Sequence, residues 1–380
     1  MVSVTKHNTP ALRFDGFDGE WETSKIADLF AERVESFPEG ELLSVTTHRG
    51  IKRFEEIGRH DTSNADKSKY KLVGIGDIAY NSMRMWQGAS GVSPYRGIVS
   101  PAYTVLRPIA ELDSGFFSYL FKVPSLVSVF KECSQGLTSD TWNLKFPAFS
   151  EIEVTHPAPE EQRAIGELFS HLDALIEQHR AKHANLQQTK TALMQRMFPQ
   201  DGADEPELRL GGFSGAWESR TLNELTAINN GLDYKHLNEG DIPVYGTGGY
   251  MLSVDRALSY KTDAIGIGRK GTIDKPYLLR APFWTVDTLF YVTARDGANL
   301  QFLLAQFQRV DWKSKNTATG VPSLTSVSIG QTSVSIPPTL EEQRAIGEVF
   351  SNLNALIAAE NRYITQLTQA KAALLQRMFV

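Results

Sequence analysis

The sequence predicts an α+β chain of α/β type, written as one unit twice. Two globular domains are separated by a long antiparallel two-helix coiled coil, with a pseudo-two-fold internal repeat. Three observations carry that expectation. Residues 10–22, PALRFDGFDGEWE, recur at an offset of 196 as PELRLGGFSGAWE at residues 206–218. Residues 160–198 recur at an offset of 181 as residues 341–379, with 23 of 39 positions identical, far beyond chance. Both closing segments carry an apolar a/d seam, whereas the stretches between opening and closing segments show no convincing similarity to each other.

In chain order, residues 1–158 form the first globular domain, 159–199 the first helix, 200–338 the second domain and 339–380 the second helix. Helix starts are marked by Pro159, suited to a first helical position, and by Thr339 with Glu342 as a capping box. Paired Glu residues at both starts favour the positive end of the helix dipole. The seam is Ile165, Phe169, Leu172, Ile176 and a polar His179 in the first helix, and Ile346, Phe350, Leu353, Ile357 and a polar Glu360 in the second. At 1.5 Å per residue each helix spans about 58 Å. Neither helix can bury its seam alone, so the two are expected to pack antiparallel on each other rather than each on its own domain. In symmetric register the midpoints His179 and Glu360 approach, and a polar contact between them is expected to pin the register. His179 and His183, at i,i+4, lack the HExxH context of a metal pair.

Apolar content of 41% and charged content of 22% describe an ordinary globular chain of 380 residues. The single cysteine, Cys133, excludes an internal disulfide, a four-cysteine zinc site and an iron–sulfur cluster held by this chain alone. The N-terminal MVSVTKHNTP has no apolar h-region, and no stretch approaches about 18 uninterrupted apolar residues. A soluble, cytoplasmic protein with no membrane partner is the expectation.

The net charge of −5 at first argues against a polyanionic partner. Its distribution reverses that reading. Residues 44–145 carry 13 basic and 9 acidic residues, net +4, and residues 231–320 carry 11 and 9, net +2, while the helices are neutral. Within these basic middles, cations and amides interleave with aromatics and glycines. In the first, YNSMRMWQGASGVSPYRG brings forward Asn81, Arg84, Gln87, Tyr95 and Arg96. In the second, VYGTGGYM, IGIGRKGTI and a preceding lysine bring forward Lys235, Tyr245, Thr247, Arg269 and Lys270. Arg, Lys, Asn and Gln supply donors for base edges and phosphates, and Gly permits close backbone approach, which makes these ten the candidate DNA-binding residues. The same pattern also suits packed β-hairpins, with Met83, Met85 and Trp86 as core.

Gly266, Gly268 and Gly271 satisfy GxGxxG, but the TIDKPYLL that follows reads as a strand or hairpin rather than the helix a dinucleotide site needs. No GxSxG, no catalytic Cys/His pair and no dense carboxylate cluster is present. The adenine-methylase motif is missing, since Ile336-Pro337-Pro338-Thr339 does not match it. No catalytic, metal or cofactor residue is therefore assigned to this chain.

The chain resembles the DNA-specificity (S) subunit of type I restriction–modification systems over essentially its whole length. The residues that carry the resemblance are PPTLEEQRAIGEVFSNLNALI at 337–357 with its first-copy partner, GVPSLTSVSIGQTSVSIPP at 320–338, and GDIAYNSMRMWQGASGVSPYRGIVSPAYTVLRP at 76–108. The resemblance implies two target-recognition domains, each reading one half of a split sequence in double-stranded DNA, with conserved helices setting the unread spacer. It implies no chemistry in this chain. It also implies assembly with two methylation (M) subunits that bind S-adenosylmethionine and with restriction (R) subunits that use ATP and Mg²⁺. The outer faces of the helices, with Glu161, Arg163, Glu342 and Arg344 at the repeated EEQR starts, are then the candidate docking residues. Two departures stand out: Ala158 replaces Thr339 and weakens the first cap, and QGLTSDTW at 135–142 replaces the GVPSL pattern, so the first domain's final loop is expected to be built differently. A self-contained methyltransferase or nuclease, and a scaffold with no DNA affinity, are the alternatives.

Overall fold

The computed structural model describes residues 8–46, 50–58, 60–61, 63–138, 141–200, 202–316 and 318–380. The chain divides into two units: one runs to His179 and resumes at Tyr363, and the other is Arg180–Arg362. The dividing points fall inside two 38-residue helices, Pro159–Arg196 and Leu340–Arg377. Each unit thus holds the first half of one helix and the last turns of the other, and the repeated frame can be followed within each.

In the first unit, Ile165 and Phe169 from the first helix share a core with Met378 and Phe379 at the end of the second. The Phe169 and Phe379 rings lie 5.7 Å apart, Lys371 pairs with Asp173, and the His179 ring meets Tyr363 at 4.4 Å, a succession that only antiparallel helices give. In the second unit Ile346 and Phe350 share a core with Met197 and Phe198, the Phe198 and Phe350 rings are 5.7 Å apart, and Glu360 pairs with Lys182 at 2.6 Å. Leu172 and Leu353 pack at the edges of these cores, Ile176 is buried and Ile357 is half-buried. The helix starts follow the sequence only in part. Pro159 is the first helical residue, and Thr339 Oγ1 accepts from the Glu342 N–H at 3.2 Å, but the Glu342 carboxylate is turned to Arg209 rather than back to the cap.

The opening segments close each unit in the same way. Leu12 N–H donates to Arg377 O and Leu208 N–H to Arg196 O, both at 2.8 Å, so each opening docks on the QRMF end of a long helix. Trp21 then packs edge-on against Phe116 and Phe379, as Trp217 packs against Phe198 and Phe302. The strands that follow, Glu22–Lys25 and Glu218–Thr221, pair antiparallel with Glu153–His156 and Ser333–Ile336.

A short helix stands across each long one. Asp113 caps Ser114–Leu120 by accepting from Phe116 N–H (2.7 Å) and donates its own N–H to Gln162 Oε1 (2.9 Å); Asn299 does the same for Leu300–Arg309 with Phe302 (3.0 Å) and Gln343 (3.0 Å). This crossing explains the lone helical glycines. A Cβ at Gly166 would lie 2.5 Å from Asp113 Oδ1, and one at Gly347 would lie 2.6 Å from Asn299 Oδ1.

The divergent middles repeat a fold that their sequences do not announce. Each contains a four-stranded antiparallel sheet in which the first strand lies beside the last. The order is Phe30–Glu32, Tyr103–Pro108, Ile78–Asn81, Ser90–Val92 in the first unit and Thr226–Asn230, Leu289–Ala294, Ala264–Gly268, Tyr277–Leu279 in the second. With its antiparallel sheets and separate helices, each unit is α+β. The remaining strands differ: two separate antiparallel pairs in the first unit, Leu43–Thr46 with Gly50–Arg53 and Lys71–Val73 with Gly97–Val99, and a three-stranded sheet around Glu239–Gly246 in the second, with one parallel pairing to Trp284–Thr285. Of the QGLTSDTW loop, Ser139 and Asp140 lie outside the described residues. Its exit is nonetheless anchored as in the second unit, with Leu144 N–H on Ser82 O (2.8 Å) and Leu324 N–H on Arg269 O (2.9 Å).

Candidate nucleic-acid interface

In the first unit Asn81, Arg84 and Gln87 come together. They line a cleft of about 870 Å³ with Lys69, Trp86 and Tyr103. The strand Ile78–Asn81 ends where Asn81 Oδ1 accepts from the Met83 N–H (3.0 Å), which turns the chain into the 3-10 helix Met85–Gln87. Met85 is fully buried and pins this turn, leaving Arg84 and Gln87 exposed on either side of it. Arg84 Nη1 donates to Gln87 Oε1 at 3.4 Å, and the Trp86 ring meets Trp142 edge-on at 5.3 Å. Of the three apolar residues the sequence left between core and surface, Met85 is core, Met83 is exposed and Trp86 forms part of the cleft wall.

Tyr95 and Arg96 do not join this group. Tyr95 packs on the Leu43, Val45 and Ile51 core beneath the Arg53 guanidinium, 4.9 Å from its ring, and the Arg96 guanidinium lies over Phe37 at 5.0 Å. Both make cation–π contacts within the domain, although Arg96 stays exposed.

In the second unit Lys235, Thr247, Arg269 and Lys270 gather in one loop cluster. Lys235 and Thr247 line a cleft of about 590 Å³ with Tyr250, Met251, Asp287 and Thr288. The Arg269 and Lys270 N–H groups donate to Thr288 O at 2.8 and 3.3 Å, and Arg269 Nη1 donates to Asp287 O at 3.4 Å. A Cβ at Gly271, which holds φ +95°, would lie 3.8 Å from Thr247 Oγ1. The GVPSL stretch backs this turn, with Gly271 N–H donating to Pro322 O at 2.9 Å. The GxGxxG match is thus a strand running into a basic turn, as expected. Tyr245 stands behind the cluster, half-buried between the Tyr250 and Tyr277 rings at 6.4 and 6.2 Å.

The docking candidates divide. Arg163 and Arg344 are exposed. Glu161 and Glu342, expected on an outward face, are instead 1% exposed. Arg13 Nε and Nη2 donate to the two Glu161 oxygens at 2.7 and 2.6 Å, and Arg209 donates likewise to Glu342 at 2.8 and 2.8 Å. The opening segments fold back over the helix starts and take both carboxylates into bidentate pairs, so these two glutamates latch the frame. The sequence held a signal for it: the arginine and the glutamate both recur.

Sequence reasoning also missed Lys69 and Tyr103 on the first cleft and Tyr250, Met251 and Asp287 on the second. KSKY and GGYM hold the signal, an aromatic beside lysine or glycine, but nothing in the sequence separates them from ordinary hairpin residues. Among the described residues, no helix is long and apolar enough to cross a membrane, and no group of three or more His, Cys, Asp or Glu is gathered to hold a metal ion.

Two domains of one sheet order on a repeated helical frame define a class of fold, and known proteins share it. Residues 215–369 match the family model of the type I restriction modification DNA specificity domain. The type I restriction enzyme MjaIX specificity subunit of Methanocaldococcus jannaschii is 29% identical over 126 residues, 33% of this chain and 26% of that relative's length. The crystal structure of a type I restriction–modification system S subunit from M. genitalium superposes with a TM-score of 0.74 at 18% identity, over 98% of this chain and 99% of that one. Residues 215–369 are thus similar to that specificity domain, and the chain as a whole shares the fold of that S subunit.

Proposed function

We propose that the chain is the non-catalytic DNA sequence-specificity subunit of a type I restriction–modification complex. Each unit reads one half of a split site in double-stranded DNA. The helix pair fixes the unread spacer and docks two methylation subunits, and restriction subunits join the same assembly in the cytoplasm. The observation that carries this reading is a frame that repeats its Arg–Glu latch, capped crossing helix and opening-segment docking around two domains with unlike surfaces, a cleft bearing Arg84 and Gln87 and a loop cluster bearing Arg269 and Lys270. Arginine paired with guanine and glutamine with adenine are the common ways to read base edges in the major groove, and lysine holds phosphates. Exposed Glu160, Arg163 and Glu167 recur as exposed Glu341, Arg344 and Glu348, which suits two copies of one partner. S-adenosylmethionine, ATP and Mg²⁺ belong to those partners.

Purifying the chain with its methylation subunits and mapping the methylated bases tests the proposal. The expected result is one asymmetric sequence in two halves with a constant gap. Methyl transfer by the chain alone would make it a self-contained enzyme, and an assembly without DNA affinity would make it a scaffold.

A further inference from the structure

The hairpin Glu239–Gly246/Gly249–Val254 ends in the two-residue turn Thr247–Gly248 and presents two large apolar side chains to solvent. Tyr250 is 63% exposed and its neighbour Met251 is 49% exposed. Successive residues of a strand face opposite ways, so a tip resting on its sheet would bury one of them. With both exposed, the tip stands clear.

It is also braced. The Tyr250 ring leans on Tyr245, Tyr245 leans on Tyr277, and the Tyr277 hydroxyl donates to Gly246 O at 2.6 Å. Gly246 leaves room for Met251, whose Sδ would lie 2.7 Å from a Cβ there. The Tyr250 hydroxyl is taken by Ser253 Oγ at 3.2 Å, which leaves the ring as what the tip offers. Lys235 lines the same cleft, with Asp233 and Asp287, and Arg269 and Lys270 line the neighbouring one, joined to it through their N–H bonds to Thr288 O. An exposed, braced aromatic with Lys235 on its own cleft and Arg269 and Lys270 on the next suits a base step flanked by phosphates, where apolar side chains enter and part the stack.

We infer that Tyr250, supported by Met251, is a stacking contact through which the second unit engages its half of the DNA site. The inference rests on the DNA-reading function proposed above. The test uses the chain assembled with its methylation subunits and a duplex carrying the mapped site, with affinity measured at several salt concentrations. Tyr250→Ala should weaken binding about 5- to 150-fold, with the slope of log K against log salt unchanged, because no phosphate contact is lost. Tyr250→Phe should bind as the wild type does. Lys270→Ala, the control, should lower the slope by about 1. Wild-type affinity in Tyr250→Ala, or a lowered slope in that variant, would overturn the inference. Failure of the wild-type assembly to bind any site would instead remove the DNA-reading function itself, a result distinct from binding that Tyr250→Ala leaves intact.

Discussion

The two units fix the same lysine with different partners. In the first, Lys371 reaches Asp173 (2.5 Å), which also accepts from the Tyr119 hydroxyl (2.9 Å), with Lys122 beside them. In the second, the equivalent Lys190 donates to Gln308 (2.8 Å), and the position of Asp173 is taken by Asn354. Around these corners the frame is otherwise repeated: the Arg–Glu latch, the capped crossing helix and the glycine beneath it. Contacts that set position are identical in the two copies. A corner that needs only satisfied polar groups takes a charged solution in one unit and a neutral one in the other.

That contrast can be broken or sharpened by substitution. The largest effect is expected at the latches. Arg13→Ala and Arg209→Ala each leave a buried glutamate without its partner, which costs about 3 kcal/mol or more. Denaturant unfolding should show similar losses for both, and a negligible loss in either would end their equivalence. Next come Gly166→Ala and Gly347→Ala. In an open helix alanine would gain about 1 kcal/mol over glycine, but here the added Cβ strikes a capping side chain, so a loss of about 1–3 kcal/mol is expected as lowered melting temperatures.

A smaller effect is read by pH. Burial, and then the charge of Lys371, lower the Lys122 ammonium to about 8, against the pull of Asp173. Below pH 8 the lysine is charged in both folded and unfolded chains. Between about 8 and the ordinary lysine range the unfolded chain alone keeps the proton, so the stability of the first unit should rise with pH across that window. Lys122→Met should abolish the rise. Burial lowers the Lys190 ammonium of the second unit as well, so hydrogen exchange followed against pH should show a rise in both units, and Lys122→Met should remove it from the first alone.

Much of the frame was legible in the sequence because periodicity and repetition survive translation into structure. The a/d spacing of Ile165, Phe169, Ile346 and Phe350 requires a partner helix, and Pro159 marks a start wherever it falls. What the sequence withheld depends on chain reversal. Glu161 and Glu342 sit on helix starts that look solvent-facing until Arg13 and Arg209 fold back across them. Tyr95 and Arg96 carry the same interleaved pattern as Arg84 and Gln87, yet Tyr95 packs beneath Arg53 and the exposed Arg96 lies over Phe37, apart from the cleft. Tyr245 and Tyr250 are cross-strand partners, and a bulge between Val244 and Tyr245 shifts the register, so alternation alone does not tell which one faces out. The common sheet order of the two middles was hidden as well, since one antiparallel arrangement accepts many apolar patterns.

Independent reading by two units is the central claim, and paired variants of the assembled complex test it most directly. Methylation maps of Arg84→Ala and Arg269→Ala should each show relaxed sequence preference at a different half of the site, with the gap between halves unchanged. Changes that fall on the same half in both variants, or a gap that varies with either, would contradict the account.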